Sequence, residues 1–266
     1  DRALRRIFGH ENRSGLPSKG IPTLGRWLLR GSYPEPCSNR KVDLPLWISS
    51  YVQTYLERDV RAIRQVGDLN AFSRFLRLCA ARTSQVLNLS DLARDAGVSM
   101  PTAKTWVSVL EASHEVFLIQ PWSSNLSKRL VKAPKLYFTD TALAAYLMDI
   151  SVEAGVLAGP AAGPLYENMV VGEWRKLFCE QGLSPAMHYF RTRDGLEVDL
   201  ILQRDGVLYP LEIKSTSTPR PQHAGPLAIW LKAHPQAGHG GVLMCQQGGG
   251  EPLLPGIRAR NWRELA

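Results

Sequence analysis

The chain has 266 residues, of which 44% are hydrophobic and 21% are charged, so it can bury a substantial core and form more than one domain. Lysine and arginine outnumber the acidic residues to give a net charge of +8, which favours an anionic partner such as nucleic acid. The sequence has no run of about 18 or more apolar residues, so no membrane-spanning helix is expected. Its 4 cysteines lack C-x-x-C spacing, which argues against a zinc ribbon or a disulfide framework and favours free thiols in the cytoplasm.

The first region, residues 1–66, is predicted to be a helical segment. Glycine and proline interrupt its first part, which predicts short helices separated by turns. Between Leu46 and Val66 apolar residues recur at steps of three and four, which predicts a longer amphipathic helix. The chain starts without Met and without an apolar signal-peptide core, so we expect a fragment of a protein that begins further upstream.

The second region, residues 67–152, is predicted to be a winged helix-turn-helix domain. After a first amphipathic helix, a second helix begins after Ser90 and a third after Ser99, because both serines are good N-cap residues. The strands Glu115–Pro121 and Lys135–Thr139 follow and are joined by a basic loop, the wing. Three helices followed by a β-hairpin are typical of this fold.

Five cations of this region are candidate nucleic-acid-binding residues. Lys128, Arg129 and Lys132 lie in the wing, Lys135 lies just beyond it, and Lys104 lies on the third helix. We expect the wing to contact phosphates, whereas the third helix offers few groups that could read bases. The alternative is a module that joins domains or proteins.

The last region, residues 160–266, is predicted to be an α/β domain with one central sheet. A linker of small residues, Gly155–Pro164, precedes an amphipathic helix that carries Glu167. Hairpins with Asp-Gly turns, a further helix and the apolar strand Gly241–Cys245 follow. This order predicts helices packed on a sheet.

The segment LEVDLILQRDGVLYPLEIKS carries the sharpest chemical prediction. Asp205-Gly206 suits a two-residue type I′ turn, and counting back from that turn places Asp199 opposite Glu212. Two carboxylates facing each other across a ladder repel, so a cation is expected between them, and a hard divalent ion suits carboxylate oxygens. The same count places Glu197 opposite Lys214. The alternatives are a solvated cross-strand ion pair of little energetic weight and a β-bulge that breaks the apposition.

Several segments together resemble one protein family. They are LLRGSYPEP, YVQTYLERDVRAI, FLRLCAARTSQVLNLSDLARDAGVS, NLSKRLVKAPKLYFTDTALAAYL, GPLYENMVVGEW, GLEVDLIL and LEIKS. In their order and spacing they are similar to the C-terminal two-thirds of prokaryotic AAA+ ATP-binding proteins that end in a domain of unknown function. The resemblance extends from about Leu24 onward.

The resemblance implies the end or lid of an ATPase region, then a winged helix, then a PD-(D/E)XK nuclease-like domain. In such a domain the helix carboxylate matches Glu167, the strand aspartate matches Asp199, and the E-x-K pair matches Glu212 and Lys214. The phosphate-binding pattern GxxxxGK[ST] is absent, since GLPSKG does not fit it, so neither ATP binding nor ATP hydrolysis is expected of this chain alone.

The leading hypothesis is a metal-dependent phosphodiesterase that acts on DNA. Asp199 and Glu212 would hold Mg²⁺ or Mn²⁺ with help from Glu167, and Lys214 would position water or stabilise the charge that grows in the transition state. The alternative is a catalytically silent module that binds DNA or a partner protein and is coupled to an upstream ATPase domain of the same protein. A transcription regulator ranks last, because the third helix has only Lys104 as a cation. The sequence leaves the oligomeric state open, and no membrane partner is expected.

Overall fold

The computed structural model describes residues 2–9, 21–55, 68–123 and 133–265, and the chain divides into two units. The middle unit consists of Thr23–Leu118 and Ala133–Met169, and the terminal unit consists of Asp1–Pro22, Ile119–Lys132 and Val170–Ala266.

The described α-helices follow in chain order. They are α1 (Arg2–Phe8), α2 (Leu24–Arg30), α3 (Pro34–Ser38), α4 (Leu44–Thr54), α5 (Leu69–Ala81), α6 (Leu89–Ala96), α7 (Met100–Ala112), α8 (Thr141–Leu147), α9 (Glu153–Ala158), α10 (Ala162–Glu180) and α11 (Gly225–Ala233). None of them is long and apolar enough to cross a membrane.

The described strands alternate with these helices. They are β1 (Gln85–Val86), β2 (Val116–Pro121), β3 (Lys135–Phe138), β4 (Met187–Arg191), β5 (Glu197–Arg204), β6 (Val207–Ile213), β7 (Gly241–Cys245), β8 (Gly249–Leu254) and β9 (Ile257–Asn261). Helices and a mixed sheet in this order make the chain an α/β protein, as the sequence predicts.

In the middle unit, side-chain caps start the helices α6 and α7. Ser99 accepts a hydrogen bond from the backbone N–H of Thr102 at 3.2 Å, which confirms the predicted start of α7. Asn88, and not the predicted Ser90, caps α6, because its Oδ1 accepts from the N–H groups of both Ser90 and Asp91. The longer reach of the asparagine side chain lets it satisfy two donors that the helix leaves open.

The strands β1, β3 and β2 are neighbours in this order, and β1 and β3 are antiparallel. The aromatic rings of Phe72 and Phe75 on α5 each make an edge-to-face contact with Trp106 of α7, at centroid separations of 5.1 and 5.3 Å. These buried rings hold α7 against α5 and leave the opposite face of α7, which includes Lys104, toward solvent.

Asn168 fastens the first part of α10 within the middle unit. Its Oδ1 accepts from the N–H of Phe138 at 2.7 Å and from Thr83 Oγ1 at 2.6 Å, while its Nδ2 donates to the carbonyl of Phe138 at 2.9 Å. The side chain thus pairs with the β3 backbone as another strand would. Asn168 and Thr83 are both 1% exposed, so water cannot replace these bonds.

In the terminal unit the strand order is β2-β4-β5-β6-β7-β9-β8. The pairs β2–β4, β6–β7 and β7–β9 are parallel, and the remaining neighbours are antiparallel. Helix α11 connects β6 to β7 and buries Leu227 and Trp230 against Val198 and Ile201. The carboxyl ends of β6 and β7 therefore lie at the same edge of the sheet.

Helix α1 belongs to the terminal unit through Arg260 of β9. The guanidinium donates to the carbonyls of Ile7 at 2.9 Å and Gly9 at 2.6 Å and lies 3.6 Å from Glu264 Oε2. Arg260 is 3% exposed, so these partners offset the cost of burying its charge. The predicted segment 1–66 thus begins with a helix that packs in the terminal unit.

We predict that Asn168→Ala lowers the free energy of unfolding by about 3 kcal/mol, because it leaves buried groups of Phe138 and Thr83 without their partner. Urea unfolding followed by far-UV circular dichroism measures the change. Gln181→Ala is the control, since that exposed side chain makes one hydrogen bond, to the carbonyl of Leu177. Equal losses in the two variants would contradict the assigned role of Asn168.

Candidate functional site

The hairpin formed by β5 and β6 has the predicted turn and register. Asp205 and Gly206 have φ angles of 50° and 80°, the positive values that a type I′ turn requires. Arg204 pairs with Val207, and the regular ladder continues to the pair of Leu200 with Leu211. The prediction for the hairpin is confirmed over this range.

Beyond Leu200 the backbone geometry changes, and Asp199 occupies the point of change. The register shifts between β4 and β5, since His188 pairs with Ile201 and Phe190 pairs with Val198. Between these two pairs β5 contains one residue more than β4. This bulge lies in the pair of β4 with β5, whereas the bulge that the sequence left open concerned the pair of β5 with β6. Asp199 Oδ2 accepts the backbone N–H of Ile213 at 2.8 Å, so a side-chain carboxylate binds this donor of β6.

Lys214 joins the two carboxylates. Its Nζ lies 2.6 Å from Glu212 Oε1 and 3.5 Å from Asp199 Oδ2. The cation that the sequence requires between the acids is thus this ammonium group, whereas Glu197 lies 3.6 Å from Arg191 on β4. Asp199 and Glu212 are 7% and 3% exposed, so both acids are buried. We call Asp199, Glu212 and Lys214 the carboxylate–lysine cluster.

The charges of the carboxylate–lysine cluster do not balance. Two carboxylates and one ammonium give this set of side chains a net charge of −1, in a region where water screens poorly. No hydrogen bond from the described residues reaches Asp199 Oδ1. An acidic oxygen with a remaining acceptor position, beside a second carboxylate, is suited to a hard cation.

Two carboxylates suit an ion such as Mg²⁺, which keeps several water ligands, better than an ion that is coordinated by protein groups alone. Among the described residues, no group of three or more His, Cys, Asp or Glu side chains could hold a metal ion. Mg²⁺ commonly binds one or two carboxylates and keeps several waters, so Asp199 and Glu212 can suffice as protein ligands. Cys245 ends β7, and burial raises the pKa of its thiol to about 12, so it is a poor nucleophile at neutral pH.

Glu167, the predicted helix carboxylate, makes its contacts within the middle unit. Its Oε1 lies 3.0 Å from Lys135 Nζ and accepts a hydrogen bond from Tyr137 OH at 2.7 Å. The side chain of Lys135 is 4% exposed, which does not favour the predicted phosphate contact of that residue. Lys135 and Glu167 thus form a part-buried ion pair.

Of the four remaining residues predicted to contact nucleic acid, the structure describes Lys104. Lys104 is exposed on α7, as predicted. Lys128, Arg129 and Lys132 lie outside the described residues, and their predicted role stays a prediction.

Sequence reasoning missed the residue that supports the end of β6. The backbone N–H of Gln246, just after β7, donates to the carbonyl of Thr216 at 2.9 Å, and its Nε2 donates to Ser215 Oγ at 3.2 Å. These bonds fix the chain directly after Lys214. The available signal was that Lys214 and Gln246 each follow an apolar strand of a parallel pair.

Two regions of the chain match models of protein families. The model described as Domain of unknown function (DUF8612) matches residues 21–154, slightly more than half of the chain. The chain belongs to the DUF8612 family. The model described as Domain of unknown function (DUF4143) matches residues 162–256 of this DUF8612 protein. The carboxylate–lysine cluster and Glu167 lie within the DUF4143 match, and Lys104 and Lys135 lie within the DUF8612 match.

The DUF8612 protein is also similar to curated mycobacterial proteins. "Uncharacterized protein Rv2008c" of Mycobacterium tuberculosis and "Uncharacterized protein Mb2031c" of Mycobacterium bovis are each 30% identical over 193 residues, which cover 73% of this chain. The matched part spans 43% of each relative's length. No solved structure gives a significant match.

We predict that Glu167→Leu lowers the free energy of unfolding by about 3 kcal/mol or more, because it removes the carboxylate that lies 3.0 Å from the buried ammonium of Lys135. Adding Lys135→Met should recover most of this loss, since it removes the charge as well. Chemical denaturation of the single and double variants measures the coupling. Glu173→Leu is the control on the same helix, where the partly exposed pair with Lys176 contributes little. A double variant no more stable than Glu167→Leu would argue against the ion pair.

Proposed function

We propose that this chain is the C-terminal part of an AAA+ family ATP-binding protein and acts on DNA through a divalent-metal-dependent phosphodiesterase site. The observation that carries the proposal is the carboxylate–lysine cluster, in which two buried acids and an ammonium meet on neighbouring strands. The terminal unit would be the PD-(D/E)XK nuclease-like domain. Its mixed sheet, with the acids near the strand ends and a helix crossing from β6 to β7, supports that assignment.

The middle unit would be a winged helix-turn-helix that holds DNA. Its order α5, β1, α6, α7, β2, β3 supports this, as does the antiparallel pairing of β1 with β3. The exposed Lys104 on α7 would contact a phosphate. An upstream ATPase domain of the same protein would be the partner that supplies energy.

Each residue of the carboxylate–lysine cluster has a distinct task in this proposal. Asp199 and Glu212 would hold Mg²⁺ or Mn²⁺, and the N–H of Ile213 orients the carboxylate of Asp199 for this purpose. The bound ion would polarise the phosphate and lower the pKa of a water molecule. Lys214, whose side chain is 41% exposed, can reach a phosphate oxygen and stabilise its growing charge. Because Oε1 of Glu167 is engaged by Lys135 and Tyr137, we assign the ion to Asp199 and Glu212 alone.

A second candidate function is a catalytically silent module that binds DNA or a protein. It is favoured by the small donor set, since no third acidic side chain joins Asp199 and Glu212 in a metal-sized cluster within the described ranges. The two candidates differ in cation uptake and cleavage and agree on DNA affinity.

We predict that the chain cleaves linear or circular DNA with Mg²⁺ or Mn²⁺, and that Asp199→Asn and Glu212→Gln each reduce the rate about 100-fold or more by weakening the hold on the cation. Gel assays with an EDTA lane measure the rate. Glu197→Gln is the matched control, because it removes a neighbouring acid that pairs with Arg191. Absence of cleavage, together with calorimetry that detects no cation uptake, would reject the nuclease proposal and leave the silent module.

We predict that Lys104→Ala weakens DNA binding and lowers the slope of log K against log salt by about one, as expected for one lost phosphate contact. Fluorescence anisotropy across a salt series measures that slope. Lys232→Ala is the control, since it removes an exposed lysine from α11 of the terminal unit. An unchanged slope in Lys104→Ala would remove α7 from the DNA interface.

A further inference from the structure

The carboxylate–lysine cluster holds its only positive group in the place that a divalent ion would need. Nζ of Lys214 contacts Glu212 at 2.6 Å and Asp199 at 3.5 Å, so it lies against an oxygen of both acids. An ion bound by the same two carboxylates would lie within a few ångströms of that nitrogen. Like charges at such a separation repel strongly where water is scarce, so both cannot occupy the site together without cost.

The members of the cluster differ in how easily each can leave it. The side chains of Glu212 and Asp199 are 3% and 9% exposed, and the backbone N–H of Ile213 holds Asp199 in place. The side chain of Lys214 is 41% exposed on a flexible stem. The acids are therefore held by the sheet, whereas the lysine side chain reaches solvent on a flexible stem.

We propose that Lys214 is a built-in counter-ion that a divalent cation displaces from Asp199 and Glu212. The inference rests on the proposed function only in assigning the ion to the same two acids. Before the ion binds, the ammonium offsets the repulsion between the carboxylates and keeps the hairpin stable. When the ion binds, Lys214 is released toward solvent, where it is available to a phosphate group. Cation affinity is thereby held down until the lysine has another anionic partner.

Removal of the ammonium should strengthen cation binding. We expect Lys214→Met to bind Mn²⁺ about 10-fold more tightly than the unmodified chain, because the ion no longer competes with a like charge. Lys214→Arg should stay close to the unmodified chain, since it keeps the charge. Isothermal titration calorimetry with Mn²⁺ measures the dissociation constants, with Lys232→Met as the control for loss of an exposed lysine. Equal or weaker binding by Lys214→Met overturns the proposal.

A second measurement needs no variant and covers the case in which Lys214→Met fails to fold. Brief acylation of the unmodified chain by an amine-reactive ester, read out by peptide mass spectrometry, reports how freely each lysine amine reacts. We expect Mn²⁺ to raise labelling of Lys214 about threefold or more as the amine leaves the acids, while labelling of Lys232 stays constant. Unchanged labelling of Lys214 at a Mn²⁺ concentration that calorimetry shows to be saturating contradicts displacement.

The outcomes separate this inference from the proposed function. If the unmodified chain binds Mn²⁺ and cleaves DNA but Lys214→Met has the same affinity, only the counter-ion role fails. If neither chain takes up Mn²⁺, the ion assignment fails, and both proposals fall with it.

Discussion

Two acids buried on neighbouring strands form the constraint on which the terminal unit depends. Both acids, Asp199 and Glu212, are buried in a region of weak screening, so their mutual repulsion costs stability unless positive charge lies close to them. Lys214, which directly follows the strand that carries Glu212, supplies that charge. The same requirement that makes the hairpin costly to fold makes it receptive to a cation, so stability and the proposed chemistry have one electrostatic origin.

In the middle unit, two neighbouring polar side chains of α10 find their partners within the unit. Asn168 binds the backbone of β3, and the neighbouring Glu167 binds Lys135 and Tyr137. Glu167 lies against its own buried ammonium and a hydroxyl, as expected for a packing role, whereas two acids that share one partly exposed ammonium are suited to a ligand. This contrast is why we assign a structural task to Glu167 and a chemical one to the carboxylate–lysine cluster.

Patterns within one hairpin were readable from the sequence because they depend on local geometry. Alternation and the Asp205-Gly206 turn gave the register from Arg204–Val207 to Leu200–Leu211. The bulge between β4 and β5 could not be predicted, since nothing in the alternation marks an inserted residue. The pairing of Glu167 with Lys135 could not be predicted, because it joins residues 32 positions apart and a lysine beside a basic loop resembles a phosphate contact. Asn88 replaced Ser90 as a helix cap because both residue types suit that position.

Because Arg260 holds α1 in the terminal unit, it limits how this chain can be cut into fragments. The guanidinium of a residue near the C-terminus binds the carbonyls of Ile7 and Gly9. A fragment that starts within residues 155–164, where α9 ends and α10 begins, would leave that buried cation without two of its acceptors. The folding unit around the sheet is therefore discontinuous in sequence, and its opening turns must be supplied together with its last strands.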